Sequence, residues 1–130
     1  MTDLAYLDAS SLVKLVLLEP ESPAMLRWFT EARRVATSRI GVIETIRASN
    51  QPDHDAVHRK HVLEDVEIIE LDLVIASAAS RISPSGVRTL DAIHIATALA
   101  LMPDLDAFVT YDDRQAEAAR LLGLPVVRPA

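Results

Sequence analysis

The stretch TLDAIHIATALAL, Thr89 to Leu101, reads as an almost wholly apolar helix interrupted by two side chains, Asp91 and His94. Leu90, Ile93, Ile95 and Leu99 recur at helical spacing and read as its buried side. An acid close to the start of such a helix has two readings. It is a first-turn residue favoured by the helix dipole, or one member of a polar site, because a lone buried charge is expensive. The neighbouring elements bear on the choice.

Working outward, DAFVTY (106–111) after it reads as a strand, DDRQAEAARLLG as a helix closed by Gly123, and PVVRP as a last strand. Before it, LAYLD (4–8) reads as a short buried strand and ASSLVKLVLL (9–18) as a helix. EPESP breaks the chain, and Ser22-Pro23 opens a second helix as N-cap and first-turn proline. VATS (35–38) is a strand and RIGVIETIRAS a helix, in which Gly41 makes the start less certain. The polar turn NQPDHD leads to a helix ending near Asp65, then strand VEIIEL (66–71), helix LDLVIASAASRI and loop SPSGV. Strands alternate with helices throughout, which predicts one α/β domain over residues 1–130, a parallel sheet covered by helices on both faces. Such sheets bind ligands beyond the carboxyl ends of their strands.

Composition narrows the function. A chain of 130 residues, 50% hydrophobic, buries roughly two-thirds of the surface its unfolded form exposes. It has no cysteine, which excludes disulfides and thiolate metal sites. The N-terminus carries Asp3 and lacks the basic-then-apolar order of a signal peptide, and no apolar run reaches the ~20 residues that span a bilayer. A soluble cytoplasmic protein is expected. The net charge of −6 argues against nucleic-acid affinity from a broad basic surface. Five scattered aromatics, Tyr6, Trp28, Phe29, Phe108 and Tyr111, make no base-stacking platform. A nucleic-acid substrate would need another anchor, and a metal ion could be one.

The ends of the strands are acidic. Asp8 closes the first, Thr110, Tyr111, Asp112 and Asp113 follow the fourth, and Glu44 lies in the helix after the second. Together with Asp91 these carboxylates would repel one another in one crevice unless a cation sat among them. Mg2+ takes oxygen ligands and keeps several waters, so a few carboxylates suffice, and phosphodiester cleavage suits such a site. Each acid also has an ordinary reading. Asp8 and Asp112 could cap helices, Glu44 could pair with Arg47 three residues on, and Asp91 could be a simple first-turn acid. His94 reads as a core residue or a support to a ligand rather than a ligand.

The order LDASSLVKL, IETIRA, LDAIHIATAL, FVTYDDRQAEAA resembles the PIN domain family, and more narrowly the VapC-type toxins of bacterial toxin–antitoxin pairs. The resemblance spans essentially the whole chain. It implies a PIN-like three-layer sandwich whose parallel five-stranded sheet has the order 3-2-1-4-5. It further implies that Asp8, Glu44, Asp91 and Asp112 match the family's acidic catalytic and metal-binding quartet, with Asp8, Asp91 and Asp112 as the metal ligands expected here. Ser10 and Thr110 match supporting polar residues. Asp113 doubles the fourth acid, and the spacing from Thr110 favours Asp112.

The expected function is a Mg2+- or Mn2+-dependent endoribonuclease, the toxin of a type II toxin–antitoxin pair. The implied partners are RNA, a cognate VapB-type antitoxin and a second copy of the chain. The helix dipole is expected to help keep Asp91 ionised. Two alternatives stand beside this: a PIN nuclease of RNA maturation without an antitoxin, and a receiver-type signalling domain. The latter wants an acid after the third strand and a lysine after the fifth, and no lysine follows Lys60.

Overall fold

The computed structural model describes residues 2–84 and 86–130. Strand β1 (Leu4–Leu7) runs through Asp8 into α1 (Ala9–Val16), followed by α2 (Ser22–Glu31), β2 (Arg34–Ser38) and α3 (Arg39–Ser49). Then come α4 (Ala56–Glu64), β3 (Glu67–Ile69), α5 (Leu73–Ser80) and α6 (Thr89–Leu99). The chain closes with β4 (Ala107–Val109), α7 (Asp113–Leu121) and β5 (Val126–Val127). All neighbouring strands pair parallel in the order β3-β2-β1-β4-β5, as expected. A receiver domain of the doubly wound type would order its strands 2-1-3-4-5, so that alternative falls.

Strands β1 and β4 are buried along their whole length, so they read as apolar runs rather than as alternating ones. Successive side chains nevertheless serve different layers. Ala5 and Leu7 of β1 join Ala107 and Val109 of β4 beneath Leu12, Leu15, Met25 and Val62. Leu4, Tyr6 and Phe108 join Ile95, Ala98, Ala118 and Ala119 on the opposite face. The sheet is thus sandwiched between α1, α2 and α4 on one side and α6 and α7 on the other.

Several boundaries differ from expectation for identifiable reasons. Helix α1 stops at Val16, not residue 18: Pro20 has no N–H to give the Val16 carbonyl, and Leu17 turns extended. The N-cap of α2 is Glu21, and Ser22 lies inside the helix, its hydroxyl donating to the Leu17 carbonyl and accepting from the Glu19 N–H. Strand β3 is shorter than 66–71 because its partner β2 ends at Ser38, where α3 begins. Leu90 is exposed rather than part of the buried side of α6. Of the predicted loop at 83–87, Ser85 lies outside the described residues, and the others carry no helix or strand.

Candidate active site

Register brings the acids of β1 and β4 together. Leu7 pairs with Val109, so Asp8 and Thr110, one residue further on, emerge side by side at the carboxyl edge of the sheet. Asp8 is only 4% exposed. Its Oδ1 accepts from the Ser10 hydroxyl at 2.6 Å and the Ser11 N–H at 3.1 Å, and its Oδ2 from the Thr110 hydroxyl at 2.5 Å. The Ser10 hydroxyl also accepts the Tyr111 N–H at 2.8 Å, and the Thr110 hydroxyl accepts the Asp112 N–H at 3.1 Å. Ser10 and Thr110 therefore tie the loop after β1 to the loop after β4 through the Asp8 carboxylate.

Capping and convergence turn out to be compatible. Asp8 is the N-cap of α1, and Asp112 is the N-cap of α7, where Oδ1 accepts from the Arg114 and Gln115 N–H groups. The caps fix both carboxylates to helix starts and leave acceptor capacity unspent: one lone pair on Asp8 Oδ2 and the whole of Asp112 Oδ2. Asp113 points elsewhere, pairing with the Arg128 guanidinium at 2.8 Å while Arg128 also donates to the Thr110 carbonyl. Of the two acids, Asp112 is the one that lines the cleft with Ser10 and Glu44.

Asp91 stands in the first turn of α6 and has only a loose contact with Arg88, at 3.8 Å. Burial, the negative charge of Asp112 and, more weakly, that of Asp8 push its carboxyl above the ordinary carboxylate range, against the pull of Arg88. Burial likewise raises Asp8, against the hydrogen bonds from Ser10, Thr110 and Ser11. The two acids share a field in which full ionisation is disfavoured.

Glu44 reaches the site from α3 by another route. Its carboxylate takes a 2.6 Å hydrogen bond from His94 and not the Arg47 contact that sequence spacing offered. Helix α3 is intact across Gly41, and the glycine is there for space: a Cβ would overlap the Thr37 hydroxyl and lie 3.2 Å from the His94 ring. Glu44, Asp112 and Ser10 line an open cleft of about 770 Å³, with Lys14, Arg47 and Leu90 around them. Asp91 instead lines another hollow, of about 210 Å³, with Arg88 and Arg114.

Among the described residues no three acids or histidines stand close enough to form a ready-made metal cage. The donor set still suits a hard cation, because Mg2+ retains waters and needs few direct carboxylates, and because the oxygens are in electrostatic excess. The buried Gln115 side chain, beside Asp112, finds no protein partner, which leaves a polar group for a solvent or ligand molecule to meet.

Sequence reading did not single out Tyr6, Ser11, Gln115 or Arg128. Tyr6 had a signal: a hydroxyl inside the otherwise aliphatic LAYL demands a buried partner. The others depend on contacts between distant segments.

A PIN domain family model matches residues 5–121. The ribonuclease VapC46 of Mycobacterium tuberculosis is 36% identical over 126 residues, covering 96% of this chain and 97% of its own length. The crystal structure of M. tuberculosis VapC20, a sarcin-ricin loop cleaving toxin, superposes with TM-score 0.72 at 16% identity, covering 96% of this chain and 99% of that one. VapBC2 from Rickettsia felis, solved with a promoter DNA fragment, gives TM-score 0.66 at 12% identity, with 98% and 99% covered.

Proposed function

The chain belongs to the PIN domain family and, within it, to the VapC-type ribonucleases, and from that premise we propose that it is a metal-dependent endoribonuclease acting as the toxin of a toxin–antitoxin pair. The observation that carries the site is the buried Asp8 carboxylate, tied by Thr110 to the Asp112 loop and sharing its field with Asp91. Asp8, Asp91 and Asp112 would hold a divalent cation, Mg2+ or Mn2+, which would supply Lewis-acid activation of the phosphodiester and of a water. The protein's own residues do the rest. Ser10, Ser11 and Thr110 hold Asp8 in one rotamer, so its free lone pair faces a fixed direction. The cap bonds do the same for Asp112. Glu44, across the cleft, is a carboxylate able to orient the attacking water and accept its proton, while exposed Arg47 offers a cation to an RNA phosphate.

A VapB-type antitoxin and a homodimer complete the proposal. The antitoxin is supported by the likeness to the toxin of a VapBC assembly. The cytoplasm is the proposed location, and among the described residues no helix is long and apolar enough to cross a membrane.

The test is RNA cleavage by purified protein with magnesium or manganese and with EDTA, for the wild type and for Asp8→Asn, Glu44→Gln, Asp91→Asn and Asp112→Asn. Metal-dependent cleavage that each substitution abolishes is the expected result. Undiminished activity in Asp8→Asn, or cleavage indifferent to EDTA, overturns the assignment.

A further inference from the structure

His94 is buried at 2% exposure and both its ring nitrogens are engaged. Nδ1 lies 2.6 Å from the Tyr6 hydroxyl and Nε2 lies 2.6 Å from Glu44 Oε1. The direction of these bonds follows from the far end of the chain. The Ser38 backbone N–H, which can only donate, gives its proton to the Tyr6 oxygen at 3.2 Å. The neighbouring hydroxyls of Thr37 and Thr97 spend their protons on the carbonyls of Leu7 and Ile93. The Tyr6 proton is then free to go to Nδ1. A neutral imidazole that accepts at Nδ1 carries its proton on Nε2, and a carboxylate on Glu44 can only accept.

We propose that His94 is a positioning residue for Glu44, fixed by Tyr6 as the Nε2–H tautomer, so that a hydrogen-bond chain from the Ser38 backbone presents the Glu44 carboxylate to the cleft. The proposal rests on the placement of Glu44 in the acidic site made above. Three elements meet to build it: β1 supplies Tyr6, α6 supplies His94, and α3 supplies Glu44. Gly41, one turn before Glu44, lets α3 close on the imidazole. Tyr6 is itself held, its ring stacked on Phe108 with centroids 5.5 Å apart and planes 8° from parallel. A carboxylate oriented through a second group in this way loses its effect when the support goes, without losing its charge.

The experiment has a spectroscopic arm and a kinetic arm. In 15N-labelled protein, long-range proton–nitrogen spectra distinguish the two neutral tautomers and the imidazolium. The four histidines are separable, because the His94 signals vanish in His94→Gln. The wild type is expected to show His94 as the Nε2–H form, and Tyr6→Phe, which keeps the stacked ring, to show a mixture. A wild-type Nδ1–H or imidazolium pattern overturns the proposal, independently of any activity.

In RNA cleavage with magnesium, His94→Ala and Tyr6→Phe are expected to lower kcat, the former about 10- to 100-fold, with KM held within about twofold. His94→Gln, whose amide nitrogen can stand at the Nε2 position and donate to Glu44, recovers most of the loss, and the shorter His94→Asn does not. Equal activity in the Gln and Asn variants overturns the positioning role, as does wild-type kcat in both His94→Ala and Tyr6→Phe when Glu44→Gln is inactive. Full activity in Glu44→Gln overturns the prior placement of Glu44 instead. Melting curves on Tyr6→Phe confirm that the comparison is made on folded protein.

Discussion

Replacing Gly41 by alanine sets two known quantities against each other. In an exposed helix the change would stabilise by about 1 kcal/mol, since glycine carries the larger backbone entropy loss. At this position the added methyl overlaps the Thr37 hydroxyl, which is fully buried and donates to the Leu7 carbonyl at 2.6 Å. Thr37 cannot swing aside without leaving that carbonyl unpaired, which costs about 1–3 kcal/mol, and overpacking adds about as much again. The net expectation is a loss of about 2 kcal/mol or more, a fall in Tm of roughly 8 °C for a domain of this size. Thermal melting followed by circular dichroism measures it. The double variant Gly41→Ala/Thr37→Ala should regain most of the loss relative to Thr37→Ala alone, because the opposing hydroxyl is gone. A Gly41→Ala protein melting at or above the wild type would refute the close-approach argument, and with it the reason α3 can bring Glu44 to His94.

Magnesium should stabilise the wild type: for a Kd on the order of 1 mM, 10 mM metal adds about 1.4 kcal/mol. Asp8→Asn and Asp112→Asn retain an oxygen for their caps, so in EDTA they should melt level with the wild type or above it and lose most of the magnesium gain; equal gains in all three would make the acids structural caps only. The pH dependence of the metal-free protein carries a sign. Asp8 and Asp91 hold their protons more tightly folded than unfolded, so their contribution is full below about pH 4 and is lost as pH rises through the raised folded values. Glu21, Glu67 and Glu70, held low by Lys14, Arg34 and Arg39, act in the opposite sense, so the measurable quantity is the difference from Asp8→Asn/Asp91→Asn. The wild type should lose stability relative to that double variant between mildly acidic and neutral pH; a constant difference would contradict the shared field.

The alternation of strand and helix was legible in the sequence because it rests on local periodicity, while the sheet order and the four proposed acids came from the resemblance to the PIN domain family. Periodicity also gave α3 its full span, Arg39–Ser49, despite the glycine. What periodicity could not supply is anything that depends on two distant segments meeting. The direction in which Asp113 turns is decided by Arg128, fifteen residues later in the chain and brought back by the pairing of β5 with β4. The choice of Glu44 between Arg47 and His94 is decided by the approach of α3 to α6, which Gly41 permits. The ionisation of Asp91 looked favourable beside a helix dipole alone. Burial and the charges of Asp112 and Asp8, which only the tertiary structure brings near, push its carboxyl the other way.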